Sequence, residues 1–144
     1  NAGYMLQPLH LVASGGETSR FFLALKSILS RHYSIPTLIF DEIDKGVGGA
    51  VAAAIGQKIA SLSQTHQVIA ITHAPQVAAY SDHHLSLYKH TRDKSYTQIA
   101  LLSDPTERLE ELARMLSGQH ITEAALKAAQ SLLDQSTQAH KVDK

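Results

Sequence analysis

The sequence predicts an α/β fold with a parallel sheet core flanked by helices, followed by a hairpin and further helices toward the C-terminal end. Three observations carry this. Two short apolar runs, Thr37-Leu38-Ile39-Phe40 and Val68-Ile69-Ala70-Ile71, have the length and β-branched content of buried strands. Between them Val51, Ile55, Ile59 and Leu62 recur at helical spacing, so strand, helix and strand form a βαβ unit whose strands lie parallel. Both runs end in polar clusters, Asp41-Glu42 and Thr72-His73, and open parallel sheets place their chemistry at strand C-terminal ends.

Each element follows from a local signal. Residues 1–13 carry Pro8 and little periodicity, which predicts an irregular lead-in ending at Gly15-Gly16. A helix is expected from about Glu17, with Phe21, Leu25 and Ile28 on one face, and Pro36 closes the connection after it. The turn Gly46-Val47-Gly48-Gly49 leads from the first strand into the second helix, and a helical turn at 75–80 follows the second strand. Strands near 85–90 and 96–102, joined by Arg92-Asp93-Lys94-Ser95, form the hairpin. Asp104-Pro105-Thr106-Glu107 supplies a cap, a proline at the first helical position and a glutamate at the third; it starts a helix with Leu109, Leu112 and Leu116 inward, which Gly118 ends. A last helix is expected from about Thr122 to Leu133. Residues 134–144 then form a polar tail that frays, which leaves 1–133 as one lobe.

Composition narrows the function classes. The 144 residues, 44% of them hydrophobic, suffice for one core. Thirteen basic residues balance thirteen acidic ones, so no overall field draws the chain to nucleic acid or an anionic membrane, and any DNA contact is local or lies elsewhere. Cysteine is absent, which excludes disulfides and thiolate metal sites and fits a cytosolic protein. No apolar run approaches bilayer length, and the start at Asn1 lacks a signal-peptide pattern and an initiator methionine, as a piece of a longer protein would.

Three clusters can carry chemistry. Adjacent carboxylates after a buried strand repel each other unless a cation or a reaction uses them; Asp41 suits a Mg²⁺ ligand, and Glu42 a base that accepts a proton from an attacking water. The alternative is a solvated turn or a helix cap. Ser14-Gly15-Gly16-Glu17 opens a helix, where free backbone N–H groups suit a phosphate, although glycine pairs also open helices for local reasons. His73, beside Thr72, stands where a γ-phosphate is sensed if the two strands are neighbours; otherwise it is structural. Of the nine histidines the other eight, among them His83, His84 and His90, lack metal-ligand spacing and read as surface residues. Lys89, Arg92 and Lys94 at the hairpin tip read as solvated charge.

Taken in order, Ser-Gly-Gly-Glu opening a helix, strand-Asp-Glu and strand-Thr-His resemble the signature motif, Walker B motif and switch histidine of the ABC ATPase superfamily, and Asp44 matches its D-loop. Within the superfamily, 12–20 (Val-Ala-Ser-Gly-Gly-Glu-Thr-Ser-Arg) resembles the SMC-like RecN branch rather than a transporter. Residues 38–44 with 46–49, 72–78 and 111–118 support this, and the resemblance runs from about Pro8 to Leu133. Departures are Leu11 in place of a basic residue, and Thr18 and Ala74 in place of leucine.

The resemblance implies the C-terminal lobe of an ABC-ATPase head that binds ATP and Mg²⁺ and hydrolyses ATP in the recombinational repair of DNA double-strand breaks. Asp41 would hold Mg²⁺, Glu42 would act as base, and His73 would hold the γ-phosphate or the water. Ser14, Gly15, Gly16 and Glu17, with Asp44, would reach ATP held by a second head of a homodimer. No G-x-x-x-x-G-K-[ST] occurs in the chain, so the phosphate cradle must come from another segment, by resemblance the protein's own N-terminal Walker A lobe. The implied setting is the bacterial cytoplasm, at the nucleoid, with DNA engaged through the full-length protein. Three rivals remain: another SMC or cohesin-like head, a non-catalytic pairing or DNA-binding module, and a histidine metal site.

Overall fold

The computed structural model describes residues 15–29, 35–90 and 95–142. Ser14, the lead-in and Arg92 to Lys94 lie outside the described residues. The element order is α1 (Gly15–Leu29), β1 (Thr37–Asp41), α2 (Gly49–Ser63), β2 (Gln67–Ile71), α3 (Pro75–Ala78), β3 (Leu85–His90), β4 (Tyr96–Leu101), α4 (Pro105–Ser117) and α5 (Glu123–Val142).

The βαβ expectation holds. β1 and β2 are parallel neighbours, in register from Thr37 opposite Gln67 to Asp41 opposite Ile71. Alternation along β1 turns Leu38 and Phe40 inward, each 3% exposed. Burying side chains of that size stabilises the fold by about 1.5–3 kcal/mol each. They pack with Leu23 of α1, Ile43, and Ala52, Ile55 and Leu62 of α2. Gly56 lets α2 approach α3 closely, since a methyl group there would stand 2.6 Å from the Tyr80 ring and 3.0 Å from the Gln76 carbonyl oxygen.

The hairpin forms as expected, β3 and β4 pairing from Leu85 opposite Leu101 to His90 opposite Tyr96. Asp104 caps α4 by accepting from the Thr106 N–H at 2.7 Å, and Gly118, at φ 79, ends it. α4 and α5 build a second core from Leu112, Ala113, Ala125 and Ala129, closed by Ala78 and Ala79. Val77 belongs to the first core, so the short α3 segment joins the two.

Three expectations change. In α1 the inward face is Leu23 and Ser27, while Phe21 is 53% and Ile28 60% exposed, because one side only of this helix meets β1 and the α2 layer. In α4, Ala113 replaces Leu116, which is exposed, beside Leu112. The residues after Leu133 are helical to Val142 rather than a frayed tail. The segment 134–142 contains no glycine or proline to stop the helix. Ser136 and Thr137 hydroxyls donate back to the Leu133 carbonyl at 2.8 and 2.9 Å, so these polar side chains are satisfied within the helix.

Candidate functional site

Parallel register brings the two polar clusters together. Asp41 ends β1 opposite Ile71, and the Glu42 N–H donates to the Ile71 carbonyl at 3.0 Å, carrying the ladder one residue further. The chain then turns sharply. The Lys45 N–H returns to the Glu42 carbonyl at 3.1 Å, and Gly46 supplies φ 72, a left-handed conformation open to glycine. Glu42 itself sits at φ 45, a conformation costing a non-glycine residue about 1–3 kcal/mol and concentrated at functional sites. Asp41 is exposed. The Glu42 carboxylate is half exposed and lies 3.1 Å from Lys45 Nζ.

Asp44 is held within its own chain. Its side chain is fully buried, and its Oδ2 accepts from Thr72 Oγ1 at 2.6 Å, the Ala74 N–H at 2.9 Å and the His73 N–H at 3.2 Å. His73 Nδ1 stands 3.5 Å from the same oxygen, while the ring is 66% exposed. Oδ1 is buried without a partner. The carboxylate thus ties the turn after β1 to the turn after β2 within one chain. Its sequence separation from Thr72 leaves no local signal of this contact; the Thr-His pair at the strand end was its only trace.

The glycine pair opens α1. Gly16 is buried against the Lys45 carbonyl, and any side chain there would collide with that oxygen. The Gly-Gly-Glu segment therefore abuts the Asp41–Gly46 turn, and Glu17 is exposed on the first turn of the helix. Ser14 falls outside the described residues. Asp41, Glu42, Asp44, His73 and Gly16 are brought to one end of the parallel sheet.

Among the described residues no three His, Asp or Glu side chains converge as a metal cage. One exposed strand-end carboxylate, Asp41, fits Mg²⁺, which is held through one or two carboxylates and takes its other ligands from phosphates and water. Away from this end, His84 is half buried rather than on the surface, its Nδ1 without a partner. Burial, then the Arg108 charge, hold its imidazole below the ordinary value of 6.5, against a weaker opposing pull from Glu111. Arg108 donates to the Ala79 and Ser81 carbonyls at 2.9 and 2.6 Å, pinning the chain that follows α3 to α4. That link joins residues far apart in the chain and has no local trace in the sequence. No helix among the described residues is long and apolar enough to cross a membrane.

The fold and the clustered strand ends define the class: an α/β lobe with a parallel βαβ core whose polar strand ends meet at one edge, a fold shared with a solved SMC ATPase chain. A chain solved in work on the ATP-driven dimerization and DNA-stimulated activation of SMC ATPases superposes with a TM-score of 0.56 and 23% identity, covering 83% of this chain and 70% of that one. No family model matches the chain. The sequence is 48% identical to the DNA repair protein RecN of Rickettsia felis over 133 residues, 92% of this chain, and 46% identical to those of Halalkalibacterium halodurans over 138 residues and Haemophilus influenzae over 135. The chain is similar to the C-terminal part of these RecN proteins. It spans 24% of their length.

Proposed function

We propose that the chain supplies one half of an ATP-hydrolysing site in a RecN-type repair protein, acting in the bacterial cytoplasm on nucleoid DNA at double-strand breaks. One observation carries the reading: the β1–β2 register sets Asp41-Glu42 and Thr72-His73 side by side, with Gly16 packed against the same turn. Asp41 is the residue to hold Mg²⁺, whose chemistry when bound is to neutralise charge on the β- and γ-phosphates. Glu42, exposed and free to leave its surface pairing with Lys45, takes a proton from water. His73, with an exposed ring, hydrogen-bonds the γ-phosphate or that water. The Ser14–Glu17 segment presents helix-terminal N–H groups to ATP held by a second head, and the phosphate cradle comes from the protein's own Walker A lobe.

In the complete protein, Glu42→Gln is expected to keep ATP binding and head pairing while turnover falls about 10²–10⁴-fold, the range general-base catalysis spans. Steady-state phosphate release measured beside nucleotide binding tests this, and unchanged turnover would dismiss Glu42 as the base. Titrating Mg-ATP into the present chain alone should give little or no heat. Tight binding there would mean the chain carries a nucleotide site of its own.

A further inference from the structure

We propose that Asp44 is a positioning residue for His73 of its own chain, and that its carboxylate does not extend to nucleotide on a second head. The inference rests on the functional reading above and alters one part of it. A fully buried carboxylate must be held by donors, and here three donors converge on a single oxygen. Two are the backbone N–H groups of His73 and Ala74, and the third is the hydroxyl of Thr72. Thr72 Oγ1 in turn accepts from the Ala74 N–H at 3.0 Å, closing a small ring of bonds around the histidine. Every residue from 72 to 74 is therefore fixed to Asp44, which itself sits two residues beyond Glu42.

The ring shares this control. Nδ1 is the nitrogen turned toward the carboxylate, at 3.5 Å, and the ring is otherwise largely exposed. A carboxylate on that side favours a proton on Nδ1 and leaves Nε2 as the nitrogen that meets the substrate. Outward reach by Asp44 would require breaking all three short bonds and uncovering a side chain that is 0% exposed. Asp44 thus makes the switch histidine competent only while the turn bearing Glu42 is folded, which couples the candidate base to the candidate phosphate sensor.

The test is a double-mutant cycle in the full-length protein. Asp44→Ala is expected to lower kcat about 10–100-fold, the scale of a misplaced catalytic group, with KM for ATP unchanged. His73→Ala should lower kcat similarly, and the double variant should be no worse than His73→Ala, because both act through one imidazole. Asp44→Asn, whose carbonyl oxygen can accept the same donors, should recover most of the activity. Hydrogen exchange at the His73 and Ala74 amides should accelerate in Asp44→Ala and not in Asp44→Asn. If Asp44→Ala fails to fold, Thr72→Val removes one donor and should give a smaller, equally non-additive loss. Losses that multiply in the double variant, or a raised KM with kcat preserved, would overturn the proposal in favour of a contact across the dimer. If His73→Ala leaves turnover unchanged, the functional reading falls and the positioning role with it, whereas normal exchange in Asp44→Ala would defeat the positioning role alone.

Discussion

Glu42 and Lys45 form an i,i+3 ion pair with both side chains more than half exposed. Screening by solvent leaves such pairs worth about 0–1 kcal/mol, so Lys45→Ala is expected to change unfolding free energy by less than about 0.5 kcal/mol in a urea titration. A larger loss would mean that the pair holds the turn. His84 behaves differently. Its imidazole is held below 6.5 by burial and Arg108, so the unfolded ring binds a proton more readily than the folded one. Stability from this group is complete above 6.5 and falls as pH drops through the folded value. Urea midpoints should decline from neutral to mildly acidic pH, and His84→Asn should flatten that decline; an unchanged slope would assign it to other groups.

At the level of elements, the close approach of α2 to α3 depends on the absence of a side chain at position 56. Alanine would raise helix propensity by about 1 kcal/mol, yet its methyl would meet the buried Tyr80 ring and a backbone carbonyl. Overpacking of that kind costs about 1–3 kcal/mol, so Gly56→Ala is expected to lower the thermal midpoint; a rise would show that Tyr80 yields freely. The helix starts and stops were the most legible features. Asp104, Pro105 and Gly118 act within a turn of their own positions, and α4 runs from Pro105 to Ser117 as their order predicts. The inward face of α1 was not legible, because Phe21, Leu23, Ser27 and Ile28 are sorted by which neighbour arrives, not by their spacing.

Across the whole molecule the chain leaves apolar surface uncovered. Ile39, Ile69 and Ile71 stand on the outer side of the parallel pair, each at least 45% exposed. Leu85, Leu87, Ile99 and Leu101 pair across one face of the hairpin and are all more than half exposed. Surfaces of this kind associate. The chain on its own is expected to form concentration-dependent oligomers in light-scattering chromatography, and Leu87→Lys with Ile99→Lys should reduce them; a strict monomer at every concentration would count against it.

What the sequence determined by itself was whatever depends on neighbours in the chain: the two strands and the helix between them, the hairpin, the α4 cap, and the order Gly-Gly-Glu, Asp-Glu, Thr-His. Parallel pairing followed from the length of the connection, and with it the meeting of Asp41-Glu42 and Thr72-His73 at one sheet end. Only the tertiary structure decided that Asp44 turns inward to grip Thr72, His73 and Ala74, that Gly16 seats against Lys45, and that Arg108 fastens the end of α3. Those contacts join residues far apart in the chain. Their partners are selected by burial and by the need of a buried charge for donors, which no local pattern of residues encodes.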